Sequence, residues 1–322
     1  RTHEYGGGAF LCADDRCFYI NNSDQQIYEV MEKGEAKQVT HQSKYRFADM
    51  VLDQHRGLLF AVGEDHSDPQ NIENYLISIS LATGELEIIA EGHDFYSNPQ
   101  LSPDGNQLLF LTWDHPNMPW DGTQLILAEL NEEGSIDKMQ DIAGGKYESI
   151  FQPLWDPNGS IYFVSDRNGW WNIYHYSEAH ITCVLEKEAE FGLPQWVFGM
   201  SNYTVLNSGD LVATYSDMTG SHLIRIDVDS GSSEEIKTSF STIDQVRGSK
   251  NNIAFIGHTD SQPGEVVAMN LAAKTSQTLQ RAAETDIRAT YISSAQHISF
   301  ETAPDELTHA WYYPPKNPDY AA

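Results

Sequence analysis

The residue types best suited to chemistry gather in short polar segments. Residues 113–123 read Trp113-Asp114-His115-Pro116-Asn117-Met118-Pro119-Trp120-Asp121-Gly122-Thr123, and residues 165–172 read Ser165-Asp166-Arg167-Asn168-Gly169-Trp170-Trp171-Asn172. Gly63-Glu64-Asp65-His66 and Ser216-Asp217-Met218-Thr219-Gly220 have a similar character. An indole is costly to leave in a solvated loop, so Trp113, Trp120, Trp170 and Trp171 must pack against something. That partner is either a neighbouring repeat of the fold or the surface of a ligand or another domain. Asp114, His115, Asn117, Met118 and Asp121 share the first loop and are candidates for the same contact. Asp166 beside Arg167 reads as an internal ion pair that rigidifies its loop, or as part of that binding surface. This is the chemistry of binding. The chain has no G-x-S-x-G elbow, no H-E-x-x-H and no EF-hand loop, and nothing around its Ser, His and Asp residues marks a triad. The Asp-box spacing of sialidase-type propellers also fails, because Gly105 follows Asp104 directly.

The elements that would hold such loops are hairpins. Ser102-Pro103-Asp104-Gly105 follows Asn98-Pro99-Gln100-Leu101 and leads into Leu108-Leu109-Phe110-Leu111. Asp156-Pro157-Asn158-Gly159 follows Gln152-Pro153-Leu154-Trp155 and leads into Ile161-Tyr162-Phe163-Val164. Weaker copies fall at 14–16, 53–57, 207–210 and 247–251, so the interval is about 40–55 residues, the range of propeller blades. Each turn joins two apolar runs of strand length. Blades are expected at 9–40, 47–90, 95–142, 150–185, 197–236 and 243–279, with Thr83-Gly84, Glu133-Gly134 and Ser230-Gly231 turning between third and fourth strands. The expected fold is all-β, a β-propeller of four-stranded antiparallel blades, with about six in this chain and few helices. Gly6-Gly7-Gly8 lacks the Lys-Ser/Thr ending and the following helix of a phosphate loop, and reads instead as an inner strand where backbones approach closely.

Composition narrows the partners. The formal charge is −28 with Lys+Arg 19 against Asp+Glu 47, which speaks against nucleic acid and anionic membrane. No apolar run reaches spanning length. Cys12, Cys17 and Cys183 are odd in number and lack zinc-site spacing, so they are expected as buried free thiols in a reducing, cytoplasmic setting. No metal or other cofactor is implied. Beyond residue 279 the texture changes. The propeller is expected over 1–285, and 286–322 reads as an exit linker plus the first strands of another domain, with Ile298-Ser299-Phe300-Glu301 and Ala310-Trp311-Tyr312-Tyr313-Pro314-Pro315 as strands. The opening Arg1-Thr2-His3-Glu4-Tyr5 reads as the middle of a longer polypeptide.

His3-Glu4-Tyr5-Gly6-Gly7-Gly8-Ala9, the two tryptophan loops and Glu190-Phe191-Gly192-Leu193-Pro194-Gln195-Trp196 together resemble the N-terminal propeller of the prolyl oligopeptidase family, most closely its dipeptidyl aminopeptidase/acylaminoacyl-peptidase-like members. Tyr312-Tyr313-Pro314-Pro315-Lys316-Asn317-Pro318 resembles the passage into that family's α/β-hydrolase domain. The resemblance covers essentially the whole chain. It implies a propeller of roughly seven blades in the parent, a catalytic triad carried wholly by the hydrolase domain, and a gating role that admits short peptides and excludes folded proteins. No catalytic residue is therefore assigned here. The partners it implies are the hydrolase domain of the same polypeptide and short peptides.

Strand alternation then says which loops matter. The chain enters the first strand and leaves the fourth on one face of the blade, and the loop between strands two and three opens on that face. The two tryptophan loops would line the chamber there, with the four-residue turns on the far face. Glu4 and Glu190 are the candidates for holding a peptide's amino terminus, because a carboxylate in a partly desolvated chamber suits an ammonium; the alternative for each is a structural, hydrogen-bonded carboxylate. The rival from another class is a freestanding TolB-like propeller that binds a protein partner. A propeller lactonase or lyase ranks below both, for want of convergent metal ligands.

Overall fold

The computed structural model describes residues 1–13, 15–218, 220–284 and 287–320. Three expectations fall partly outside them: the turn at 14–16, at Asp14; the 216–220 segment, at Thr219; and the domain division, at Thr285, Asp286, Ala321 and Ala322. The fold is a β-propeller, with six four-stranded antiparallel sheets among the described residues, each a meander whose strand order follows the chain. The sheets occupy residues 10–38, 45–90, 95–144, 150–183, 203–235 and 242–281, close to the expected repeats. A hairpin, Gln296–Ala303 with Glu306–Tyr312, stands where two further strands were expected. No helix among the described residues is long and apolar enough to cross a membrane.

The chain forms two compact units, one of residues 1–186 and 192–200, the other of 187–191 and 201–322. The first holds four blades, and its apolar core lies between neighbouring sheets. Phe18, Phe47, Leu59 and Ile77 pack between blades one and two. Phe60, Tyr96, Phe110 and Phe198 pack between two and three, and Leu109, Leu125, Phe163 and Tyr174 between three and four. This arrangement explains the unbroken apolar runs. The second strand of blade three, Gln107–Trp113, is buried on both faces, so alternation disappears from Leu108 to Leu111. Each such side chain contributes about 1.5–3 kcal/mol of burial. The second unit repeats the scheme, with Val212, Leu223, Phe255 and Val267 between blades five and six. Its fourth strands are wet: Ser232–Glu235 and Thr275–Arg281 are exposed throughout.

Three expectations need correction. Blade five begins at Tyr203, not at residue 197, because Phe198 is used elsewhere. It pairs in parallel with Gly7, so the triple glycine makes the close backbone approach expected of it but precedes the first strand, Phe10–Ala13. A Cβ on Gly7 would sit 2.4 Å from the Phe198 carbonyl oxygen, at φ +92°. Lastly, the cysteines are not buried: Cys12 and Cys183 are exposed and Cys17 is half-buried. The first hairpin and the wet outer strand of blade four leave these sulfurs no core to enter.

Candidate functional site

Both ends of the blades in the first unit are defined by specific bonds. At one end Arg56 donates to Asp53 Oδ2 and to the Gly105 carbonyl, both at 2.7 Å, and to the Glu132 carbonyl at 3.2 Å. The turns at 53–57, 102–105 and 131–134 are thereby gathered together. At the other end the connector between blades two and three meets the first tryptophan loop. His93 Nδ1 lies 2.9 Å from Asp114 Oδ2, and Asp114 Oδ1 accepts the Asp94 N–H at 2.7 Å. Asp94 Oδ2 in turn accepts the His115 N–H at 2.8 Å and lies 2.8 Å from His115 Nδ1. These bonds, the backbone donation first, hold the Asp94 carboxyl below its ordinary pKa. Strand alternation had assigned the loops and turns to opposite ends, and within this unit that assignment holds.

The loop end opens into a cavity of about 860 Å3 that lies wholly within the first unit. Of the residues proposed from sequence, Glu4, Trp113, His115, Asn117, Met118 and Trp120 line it. Asp114 and Asp121 do not; they shape the loop instead, Asp121 by accepting the Met118 N–H at 2.8 Å. Trp113 is buried, stacked on Phe95 with ring centres 5.2 Å apart. Trp120 packs on Trp196 at 4.5 Å, and Tyr5 meets the same indole edge-on at 5.3 Å.

Glu4 arrives by a tight turn. The Gly6 N–H donates to the Thr2 carbonyl at 3.0 Å, and His3 and Glu4 both sit at positive φ, 49° and 63°. Non-glycine residues adopt that conformation at a cost and only where their surroundings enforce it. Here the Glu64 carboxylate helps: Oε1 accepts the His3 N–H at 2.9 Å while Oε2 lies 2.6 Å from His66 Nε2. The His3 ring is enclosed by Phe95, Trp113 and Phe198, with centres 5.0, 5.7 and 4.7 Å away. Burial there lowers its pKa to about 4, with the nearby Asn74 side chain opposing the shift. Glu4 itself is exposed, and its carboxylate has no hydrogen-bonding or ionic partner among the described residues.

The lining is one-sided in charge. Among the described residues, Glu4, Glu64, Glu73, Glu91 and Asp94 contribute carboxylates, and no Lys or Arg lines the cavity. Glu64, Glu73 and Asp94 are engaged by His66, Tyr75 and His115. Glu4 and Glu91 remain free to meet a cation.

The second tryptophan loop is placed at the same end but outside the cavity. Asp166 and Arg167 do not pair with each other, which corrects that reading. Asp166 accepts the Ser149 N–H at 2.8 Å, and Arg167 donates to Glu148 Oε1 at 2.7 Å while its guanidinium lies 5.0 Å from the Tyr174 ring centre. Adjacent side chains diverge, so each finds a partner on the connector between blades three and four. Trp171 covers Gly192, where a Cβ would fall 2.8 Å from the indole, and Trp170 is partly exposed. Glu190 belongs to the second unit, bridges Ser216 and is not part of the cavity lining.

The sequence reading missed His3, Glu64, Asn74, Glu91, His93, Asp94 and Trp196 as cavity residues. Residues 91–94 were within reach of the alternation argument, since a connector between blades must open on the same end as the loops. Glu64 was singled out only within the 63–66 segment, and His3 and Asn74 carry no such local sign.

No protein-family model matches this chain, and no curated protein does. Solved structures do. The chain is similar to a puromycin-hydrolyzing peptidase of Mycobacterium tuberculosis, with 26% identity and a TM-score of 0.91 over 99% of this chain and 52% of that one. It is also similar to a puromycin hydrolase solved in complex with PGG, with 28% identity and a TM-score of 0.88 over 95% of this chain and 49% of that one. It thus spans about half the length of either. TolB from Acinetobacter baumannii shares the fold at 14% identity and a TM-score of 0.54.

Proposed function

Since the chain is a β-propeller of the prolyl oligopeptidase family, we propose that it selects substrates for a hydrolase domain of the same polypeptide, admitting short peptides and holding their free amino termini. The observation that carries this reading is the cavity with five carboxylates and no Lys or Arg among its described lining residues. Such a cavity favours a cation, and the ammonium of a peptide is the cation a peptidase meets. Glu4 is its principal partner, presented by a strained turn with its carboxylate unengaged. The aromatic wall of Trp120, Trp196 and Tyr5 excludes water from one side and strengthens the charge-assisted bond. Free-amine substrates are thereby favoured over N-acylated ones. A cytoplasmic location fits the cysteine usage. The TolB-like interaction module is supported by fold likeness alone.

The test is Glu4→Gln in the full-length enzyme, assayed on matched free-amine and N-blocked peptides. The amide keeps the shape and loses the charge. With the hydrolase domain closed over the cavity, removing one member of the then desolvated pair costs about 2–5 kcal/mol, so kcat/KM for the free amine should fall by roughly 30-fold or more while the blocked peptide is little affected. Equal loss on both substrates would make Glu4 a structural residue.

A further inference from the structure

The first hairpin carries two cysteines that face each other. Phe10–Ala13 pairs with Arg16–Ile20, and in that register Cys12 stands opposite Cys17. The type of pair matters. The Ile20 N–H donates to the Ala9 carbonyl at 2.8 Å, so the pair 9/20 is hydrogen-bonded. Alternation then makes 11/18 and 13/16 hydrogen-bonded, and leaves 12/17 as a non-hydrogen-bonded pair. Opposed residues at such a position have Cα atoms about 4.5 Å apart with side chains drawn together. That separation lies within the range of about 4.4–6.8 Å that a disulfide spans. The two sulfurs are already in contact, 2.6 Å apart, with Cys12 exposed and Cys17 half-buried.

We propose that Cys12 and Cys17 are a redox site that closes reversibly into a cross-strand disulfide when the protein meets a low-molecular-weight disulfide. Cys17, as thiolate, attacks one sulfur of the oxidant and expels a thiolate, leaving a mixed disulfide on the protein. Cys12 then loses its proton, attacks the Cys17 sulfur and expels the second thiolate. Two protein thiols are oxidised, one external disulfide is reduced, and the two released protons complete two small thiols. The hydrogen bond to Cys17, together with burial, raises the Cys12 thiol pKa, which favours Cys17 as the first to attack. Exposure is what makes the exchange reversible, since an accessible disulfide can be reached again by a thiol. The bond would tie Phe10–Ala13, the strand that continues from the cavity segment at residues 3–6, to its neighbour.

Cys183 is the internal control: it stands opposite Tyr174 and has no cysteine in register. Incubation of the chain with oxidised glutathione, followed by acid quench, alkylation and peptide mass spectrometry, decides the matter. Alkylatable thiols should fall from three to one, with a linked Cys12–Cys17 species that dithiothreitol restores to free thiols. Cys12→Ser should instead accumulate glutathione on Cys17, and Cys17→Ser should accumulate it on Cys12. The proposal is overturned if the wild-type chain retains glutathione on either sulfur without closing. It is equally overturned if both thiols stay alkylatable under conditions that modify the single-cysteine variants.

Discussion

His3 shows how far a residue's chemistry depends on distant partners. Its neighbours Phe95, Trp113 and Phe198 come from three other parts of the chain, and together they exclude water from the ring. Because the folded pKa is depressed to about 4 while the unfolded value is near 6.5, the unfolded state binds more protons between those limits. His3 therefore costs nothing above pH 6.5, and stability is lost as the pH falls from there toward 4. At about 1.4 kcal/mol per unit the loss reaches about 3 kcal/mol. His3→Gln should remove that slope. Urea midpoints of wild type and variant, compared from pH 7 to pH 4, should diverge in the variant's favour as acid is added, and parallel curves would show that the imbalance lies elsewhere. Nothing next to His3 in sequence announces this. Glu4 was legible as a candidate partner for a peptide ammonium, and its unpaired state emerged once Glu64 was seen to take the neighbouring backbone N–H.

At the scale of elements the hairpins were legible almost to the residue, because a polar turn between apolar runs is a local pattern. What escaped notice is a bulge in the first strands. Asp49, Asn98, Gln152 and Gln245 sit at φ of 56°, 53°, 50° and 58°, each where the pairing with the second strand slips. These residues share no sequence signature beyond polarity, and the bulge answers to pairing across the blade. The ties between neighbouring turns are likewise invisible locally. Arg56 was read only as part of a weak turn, yet it joins the turn of blade two to two turns of blade three. It is nearly buried, and Asp53 beneath it more so, at 10% and 2% side-chain exposure. Arg56→Ala leaves that carboxylate unpaired and two carbonyls without their donor, a change worth about 3–5 kcal/mol. Chemical denaturation should show the loss, with Arg56→Lys recovering only part of it, since an ammonium cannot serve three acceptors in the guanidinium's planar arrangement. A variant within about 0.5 kcal/mol of wild type would mean the contact is ornamental.

For the whole molecule the governing quantity is charge. Asp+Glu 47 against Lys+Arg 19 leaves −28, and self-repulsion of that size opposes compaction. Raising sodium chloride from about 10 mM to about 150 mM shortens the screening length from about 30 Å to about 8 Å, so the thermal midpoint should rise. A midpoint that falls with salt would show that ion pairs such as Arg16–Glu29 and Arg167–Glu148 outweigh the repulsion. The sequence by itself determined the repeat, the strand content, the end of the blade on which each loop opens, and the acidic charge of the chain. These follow from local turn chemistry, from alternation along a strand and from composition, none of which needs a distant partner. Only the tertiary structure decided which loop residues face the cavity and which merely brace it, that Phe198 is drawn to Gly7, and that Cys12 meets Cys17 in the light of solvent and not in a core. Those outcomes depend on contacts between residues far apart in sequence or on the register and exposure of a finished sheet. Close packing admits only one arrangement of them at a time.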